Sequence, residues 1–459
     1  MLERFFCLKA RNTTILTEFM AGLTIFLTMA YIIPVGSTIL ADSGMPKDSL
    51  ISAICIVTAI VTLVTGLYAN MPVAMSVGMG LNVYFSFGLV HEFGLSWQQA
   101  LGAVFLSACI FLVISVTKFR VWVLQSIPKD LRYALCAGLG GFLAQIALSQ
   151  IGIISISDRG LLLGNFDKNV CVGITGVFII LLFVAWRLKG AFLLGIFVTA
   201  LISWLLGIAK APDKILDMPA SIAPIAFQLE IVSILQISMI SPLIALLITH
   251  LFDSIGTLSG IGANAGLFQS LQGDSRRDKA LLKQDSTYLE SSLDSKQIRY
   301  AEDKPLESTL QVDAAGACFG ALCGVSTVTA FLESASGVNI GGRTGLTACF
   351  VALFFSLALF FMPFFAAIPS VAIYPVLIIV GAMMFMQIKS IDFSKLEVCY
   401  SSFAIVILMP LTSSITNGLC AGFILYVILS IFLGKKENLN MGICIIAFIS
   451  LIPFISPAL

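Results

Sequence analysis

The sequence predicts an all-α polytopic membrane protein with about 14 transmembrane segments in two inverted seven-segment repeats. The chain has 459 residues, of which 58% are hydrophobic and 11% charged, and its mean hydropathy is +1.02, so it differs strongly from a soluble globular domain. Apolar stretches of about 16 to 25 residues, enough for a helix to cross roughly 30 Å of hydrocarbon, alternate with short polar connections. Two similar stretches, "GAFLLGIFVTALISWLLG" at 190–207 and "GLCAGFILYVILSIFLG" at 418–434, lie about half a chain apart, as inverted repeats of a transporter would.

The predicted segments follow from apolar runs that are bounded by polar or charged residues. A further apolar piece at 441–456 has only about 16 residues, so whether it crosses the membrane stays open. In chain order, the segments are 18–40, 50–69, 73–90, 97–117, 131–152, 170–187, 190–208, 235–262, 309–325, 328–340, 344–367, 371–388, 397–411 and 415–434.

The placement of lysine and arginine predicts the orientation. If the N-terminus is cytoplasmic, most basic residues of the connections lie on that side, including those of the long polar insert 269–308. We therefore expect a multi-pass protein of the cell (inner) membrane, with the N-terminus and a solvated, partly helical insert in the cytoplasm; a regulatory role for the insert stays open. The opposite side receives Lys47, Arg159, Lys168, Lys210 and Lys214.

The composition argues against several other functions. The 11 cysteines are scattered without a C-x-x-C pair, and we expect them to be small core residues. A net charge of +1 and the lack of a basic patch give no sign of a nucleic-acid partner. The sequence has neither a G-x-S-x-G elbow nor a phosphate-binding loop, and two histidines without an H-E-x-x-H motif disfavour a metal site at His250, Asp253 and Glu333. We therefore predict no catalytic residue, metal or cofactor.

The third and the tenth segment are poor continuous helices. In "NMPVAMSVGMGLNVYFSFGLV" Pro72, Gly78 and Gly80 interrupt the helix just before Asn82; in "GVSTVTAFLESASGVNIGGRTGL" the β-branched run favours an extended piece before a short helix near Glu333. Irregular backbone at membrane depth must face protein or a polar cavity, so we predict short extended stretches and half-helices at a binding site. The alternative is that the glycines only allow close helix packing, and that Asn82 is only a packing hydrogen-bonder.

A few ionisable residues lie inside apolar segments, where they are costly and therefore functional candidates. His250 and Asp253 are three residues apart on one side of the eighth segment, and a mutually satisfied buried pair is the alternative interpretation. Glu333 could be only a helix-start acid. Asp313 and Arg343 lie near predicted cytoplasmic ends, where long side chains reach the interface, so we expect them to be structural or gating residues.

Four stretches closely resemble the AzgA-like adenine/guanine/hypoxanthine permeases, a branch of the nucleobase permease superfamily. The resemblance implies the uracil-permease fold and proton-coupled purine uptake with elevator-like alternating access. It also implies a core domain of 14–120 and 231–367, with a gate domain of 121–218 and 368–459. The stretches are "TEFMAGLTIFLTMAYIIPV", "MSVGMGLN", "LFDSIGTLSGIGANAGL" and "GVSTVTAFLESASGVNIGGRTGLTA".

The resemblance also implies a site. A purine presents N–H donors beside acceptor nitrogens, so its site needs a carboxylate, an amide and backbone N–H groups. The residues predicted to bind substrate are Gly80, Asn82, Asp253, Thr329, Glu333 and Ser334. Protonation of His250, Asp253 and Glu333 is expected to couple uptake to the proton gradient, with no cofactor. The family usually reads D-L-F-D where this chain reads "HLFD", so His250 replaces the first acid and the preferred purine stays open.

Two rival functions remain at this stage. The same fold could carry another nucleobase or a small anion, although an anion carrier would favour helix dipoles and a basic site over Glu333. A membrane sensor could also bind a nucleobase without transporting it. The expected partners are a small purine base and the lipid bilayer; the coupling stoichiometry and the oligomeric state, including a homodimer, stay open.

Overall fold

The computed structural model describes residues 5–9, 11–117, 127–157, 160–234, 236, 239–265, 295–435 and 439–451. The helices of the first half are α1 Ile15–Met29, α2 Ile32–Ala41, α3 Lys47–Val64, α4 Met79–Val83, α5 Trp97–Val116, α6 Lys129–Ile151, α7 Lys168–Ala185 and α8 Ala191–Leu205. Those of the second half are α9 Ile240–Ala265, α10 Ser295–Leu322, α11 Ser334–Val338, α12 Gly345–Ala358, α13 Met362–Ala366, α14 Ser370–Phe385, α15 Leu396–Leu411, α16 Ile415–Phe432 and α17 Met441–Ile449. The strands are β1 Met75–Val77, β2 Ile154–Ser157, β3 Gly160–Leu163 and β4 Val328–Ala330.

The helical membrane class is confirmed. Within the described ranges, 8 helical stretches are long and apolar enough to cross a bilayer, and further apolar helices are shorter. The protein is therefore a multi-pass membrane protein. Helix α17 has 9 residues, which reach only about 14 Å, less than half of the hydrocarbon thickness. The rest of the doubtful apolar piece, residues 452–456, lies outside the described residues.

The polar insert is helical where the structure describes it. Helix α10 begins at Ser295 and therefore contains both the last part of the insert and the predicted ninth segment. Residues 269–294 lie outside the described residues.

Both interrupted segments contain the predicted extended stretches. Strands β1 and β4 form an antiparallel pair in which Ser76 lies opposite Thr329. The pairing continues at both ends, because the Gly78 N–H donates to the Thr327 carbonyl and the Phe331 N–H donates to the Ala74 carbonyl, each at 3.0 Å. The backbone that leaves the helical ladder is thus satisfied by the other interrupted segment.

The helices pack mainly within two bundles. Helices α1 to α5 pack with α9 to α12 and enclose the β1–β4 pair, whereas α6 to α8 pack with α14 to α16. We call these the strand bundle and the second bundle. They meet along smaller contacts, of α1 with α8, α2 with α14, α4 with α6, and α9 with α16.

A buried acid organises one end of the strand bundle. The fully buried Glu18 of α1 accepts the backbone N–H groups of Arg343, Thr344 and Thr347 and the Thr347 hydroxyl, so it caps the start of α12. The Arg343 side chain is half-buried and donates to the Val338 carbonyl at 3.4 Å, which agrees with the structural role predicted for it. Sequence analysis did not identify Glu18, because an acid near a helix start is unremarkable until its partners are known.

Candidate substrate site

The candidate site lies where the two crossing strands turn into short helices. Helix α4 begins directly after Gly78, which has an extended backbone, and α11 begins directly after Glu333. Pro72 cannot donate a backbone hydrogen bond and Gly78 weakens a helix, whereas the "VSTVT" run is rich in β-branched residues, so both sequences favour extended chain here. The ends of the two paired strands therefore lie at the starts of α4 and α11.

Glu333 is held by a tyrosine from the first predicted segment. The Tyr31 hydroxyl donates to Glu333 Oε1 at 2.6 Å, and the carboxylate itself is half-buried. Tyr31 is only 2% exposed, and its ring lies 5.1 Å from that of Phe192 on α8. Sequence analysis missed Tyr31; a lone tyrosine in the apolar run "MAYIIPV" was the only available signal.

Asp253 faces the start of α4. It is half-buried, and its Oδ2 lies 3.6 Å from the position that a Cβ atom on Gly78 would occupy. The same position is 2.9 Å from Thr329 Cγ2, so α9, β4 and α4 meet at this glycine. Any side chain at Gly78 would have to displace Thr329. Asp253 next to Gly78 and Glu333 directly before α11 therefore lie at the ends of the two paired strands, β1 and β4.

Gly80 and Asn82 follow on α4 in different environments. A Cβ atom on Gly80 would meet open space, and the residue is half-buried. Asn82 is fully buried; its Oδ1 accepts from the Ser326 hydroxyl, and its Nδ2 has no hydrogen-bond partner among the described residues. An unpaired buried amide is costly and therefore points to a missing partner.

The hydroxyls of Thr329 and Ser334 already have protein partners. The Ser334 hydroxyl accepts the Ala74 N–H at 3.0 Å, and Thr329 Oγ1 lies 3.3 Å from Ser254 Oγ. Both residues are buried and hold the strand crossing together. Direct contact of these hydroxyls with a substrate stays a prediction; the Ser334 hydroxyl accepts one bond here and keeps its O–H as a donor.

His250 is fully buried behind the strands and contacts Asp313 instead of forming an ion pair with Asp253. Its Nε2 lies 3.1 Å from the Val328 carbonyl oxygen and 3.6 Å from Asp313 Oδ2. Because a carbonyl only accepts, Nε2 carries the proton. The ring also lies 4.4 Å from that of Phe111. The alternative interpretation of a mutually satisfied pair with Asp253 is therefore wrong.

The prediction that Asp313 reaches the membrane interface is also wrong. Its side chain is fully buried and accepts from the Ser254 hydroxyl, while its Oδ1 has no partner within the part of the chain that is described. Helix α10 begins 18 residues earlier (313 − 295), and Asp313 lies where that helix packs inside the strand bundle. A contiguous polar chain therefore runs from His250 through Asp313 and Ser254 to Thr329.

Comparison with known proteins decides the family. A family model described as a permease family, of the xanthine/uracil type, matches residues 16–285 and 293–421. The chain belongs to the xanthine/uracil permease family. Membership makes this permease a transport protein and not an enzyme.

Named relatives cover the permease almost completely. It is 33% identical to the adenine permease AdeP of Escherichia coli (strain K12), over 99% of this chain and 96% of the relative. It is 32% identical to the guanine/hypoxanthine permease PbuO of Bacillus subtilis (strain 168), over 97% of this chain and 98% of the relative. These matches confirm the resemblance to nucleobase permeases.

Solved structures show the same fold at low sequence identity. The transmembrane domain of the cyanobacterium bicarbonate transporter BicA has a TM-score of 0.59 and 14% identity, with 88% of this chain and 96% of that chain covered. SLC26A9 has a TM-score of 0.57 and 10% identity, with 91% of this chain and 66% of that chain covered. The permease therefore has the helical transporter fold of these proteins.

Proposed function

We propose that the permease imports purine nucleobases, namely hypoxanthine, adenine and guanine, across the cell membrane by proton symport. The observation that carries this proposal is the placement of two half-buried acidic residues, Glu333 and Asp253, at the ends of the paired strands β1 and β4. Relatives of nearly full length are named as adenine and guanine/hypoxanthine permeases, which supports purines as the substrate class.

The recognition chemistry suits a neutral base that is rich in N–H groups. Glu333 and Asp253 would accept ring and exocyclic N–H donors, and the open backbone at Gly80 would admit the flat ring close to α4. The unpaired Asn82 amide would gain a partner if the start of α4 shifts when the site is filled. A small anion would be repelled by the two carboxylates, so the acids argue against the anion carrier.

The proposed movement is that of a core domain against a gate domain. The core would comprise residues 14–120 and 231–367, and the gate 121–218 and 368–459, in about 14 segments that form two inverted repeats. The division into a strand bundle and a second bundle supports this assignment. A few polar contacts bridge the bundles, such as Tyr84 to Thr416 at 2.6 Å and Tyr374 to Asp42 at 2.5 Å, and these would have to break during an elevator-like step.

The basic residues support a cytoplasmic N-terminus and a cytoplasmic insert 269–308. With that orientation, Asp42 and Lys47 would lie at the outer surface. Cysteine labelling from outside intact cells, at the exposed positions Asp48→Cys on the outer side and Thr14→Cys on the inner side, tests the topology. Labelling of Thr14→Cys but not of Asp48→Cys would reverse it.

The test of the function is uptake of radiolabelled hypoxanthine, adenine, guanine and uracil in cells that lack their own purine carriers, with and without a protonophore. Accumulation of purines that the protonophore abolishes would establish proton-coupled purine import. Preference for uracil would support another nucleobase, and saturable binding without uptake would support a sensor. Facilitated entry that only equilibrates would contradict the symport.

Proton coupling by His250, Asp253 and Glu333 predicts a specific pH dependence. Wild-type uptake should fall as the external pH rises, because a proton must be taken up with the base. The variant Asp253→Asn, which is always neutral, should show a flatter pH profile because it removes one of the groups that are proposed to take up the proton. Uptake over a series of external pH values measures this.

The matched control is Asp217→Asn, since Asp217 is an exposed acid outside the membrane-spanning helices, where its backbone and Lys214 contacts lower its pKa. Its pH profile should equal that of the wild type. If both Asp253→Asn and His250→Asn also keep the wild-type profile, these two residues have no part in coupling and only Glu333 remains.

A further inference from the structure

We infer that Tyr31 is a positioning residue that sets the orientation of the Glu333 carboxylate for substrate. The inference rests on the proposed function, because that proposal assigns Glu333 to the substrate site. It adds a residue of α1–α2 that no sequence motif identified, and it links the site to the second bundle.

The geometry of the bond is that of a strong hydrogen bond. The distance of 2.6 Å between the Tyr31 hydroxyl and Glu333 Oε1 lies in the range of O–H···O⁻ bonds to an ionised acceptor. Tyr31 sits in the short break between α1 and α2, at their junction, and its side chain is 2% exposed. A buried tyrosine hydroxyl needs a partner, so the ring position and the carboxylate position fix each other.

One oxygen of the carboxylate is thereby assigned and the other is left for substrate. An ionised carboxylate has two oxygens and about four acceptor sites. The hydrogen bond from Tyr31 to Oε1 restricts rotation of the carboxylate, so the direction of the second oxygen is restricted as well. A bound base would therefore meet a preorganised acceptor, which lowers the entropy that binding costs.

The ring of Tyr31 is itself held by the second bundle. Its centroid lies 5.1 Å from that of Phe192 on α8, with the planes inclined by 54°. Helix α8 packs with α7 and α14, away from the strands. Tyr31 thus touches the proposed gate with its ring and the proposed site with its hydroxyl, so its position responds to both.

The experiment removes the hydroxyl and keeps the ring. Tyr31→Phe should raise the KM for purine uptake about tenfold, the factor expected for one hydrogen bond to a charged group, and should change the maximal rate much less. The control is Tyr68→Phe, which also removes a tyrosine hydrogen bond, from the exposed Tyr68 hydroxyl to Gln311 Oε1 at 3.2 Å, away from the site. A purely structural role would give both variants the same change.

A second readout does not depend on transport. Infrared spectra of the purified full-length protein in nanodiscs contain the carboxyl stretching band of Glu333, which is identified by its loss in Glu333→Gln. Its frequency should shift in Tyr31→Phe and stay unchanged in Tyr68→Phe. Incorporation of 3-fluorotyrosine at position 31 supplies a more acidic donor with the same ring, and should shift the band in the opposite direction to Tyr31→Phe.

The outcomes separate the inference from the proposed function. If the wild type takes up no purine and the band still shifts, Tyr31 positions Glu333 and the purine assignment is wrong. If the wild type takes up purines and Tyr31→Phe keeps both its KM and its band, the positioning role is overturned. Equal KM changes in Tyr31→Phe and Tyr68→Phe would also overturn it, because they would reveal a general effect of losing a tyrosine hydroxyl.

Discussion

Glu333→Gln is expected to abolish purine accumulation while the protein remains folded and inserted. The substitution keeps the shape of the side chain, and the amide oxygen can still accept from Tyr31. It replaces the second oxygen by an NH₂ group, which would confront the N–H groups of a purine. Loss of a hydrogen bond to a charged group costs about 1.5–3 kcal/mol, and a donor facing a donor adds to that. We therefore expect at least a hundredfold loss of uptake efficiency.

The matched control for this prediction is Glu230→Gln. Glu230 is an exposed acid in the connection before α9, and its exchange should leave uptake unchanged. Fluorescence-detected size exclusion of both variants checks that they are folded. Wild-type accumulation by Glu333→Gln would remove Glu333 from both binding and coupling.

Counterflow in preloaded vesicles then separates the two roles of Glu333. If Glu333→Gln still exchanges labelled for unlabelled purine but cannot accumulate it, the residue couples the proton and is dispensable for binding. If exchange is lost as well, the residue binds the base. We expect the loss of both, because the same carboxylate is proposed to accept the substrate and the proton.

Local sequence signals predicted the extended stretches of the third and the tenth segment, but not the antiparallel pair of β2 and β3. The extended pieces at 75–77 and 328–330 follow from proline, glycine and β-branched residues, which act on the backbone within a few positions. The antiparallel pairing of these pieces required tertiary information, because the strands are about 250 residues apart (328 − 77 = 251). The sequence therefore predicted that both helix interruptions lie at the site, but not which residues of β1 and β4 pair with each other.

The partners of the buried polar residues were not predictable in the same way. Residues three apart on a helix differ by about 60° around its axis, which is enough to turn His250 toward Val328 and Asp313 while Asp253 faces Gly78. Asp313 lies only four residues after the predicted start of the ninth segment, which suggested a position at the membrane interface. Helix α10 begins well before that segment, so Asp313 lies inside the helix. Tyr31 lies in the first stretch that resembles the family, but that stretch does not indicate its partner; the packing of α1 against α11 brings it to Glu333.

The buried pair of His250 and Asp313 predicts a large effect on stability. Asp313→Ala removes the partner of His250 and of the Ser254 hydroxyl in a region with no exposed side-chain surface, and it leaves a cavity. Breaking a buried pair by removing one partner costs about 3–5 kcal/mol. The variant should therefore melt at a much lower temperature in detergent than the wild type, whereas Asp217→Ala at the exposed surface should not.

A double-mutant cycle decides what the pair contributes. His250→Leu with Asp313→Leu replaces both polar groups by apolar ones, so neither is left facing an unpaired partner of the other. The Val328 carbonyl still loses its His250 donor, and Ser254 keeps only its Thr329 contact, so stability should recover part of the loss of either single variant. Strictly additive losses would contradict a direct interaction between the two residues.

A double variant that is stable but transports no purine would mean that the pair serves transport through its link to Ser254 and Thr329, and not the stability of the fold. A double variant that is stable and transports normally would confine proton coupling to Asp253 and Glu333.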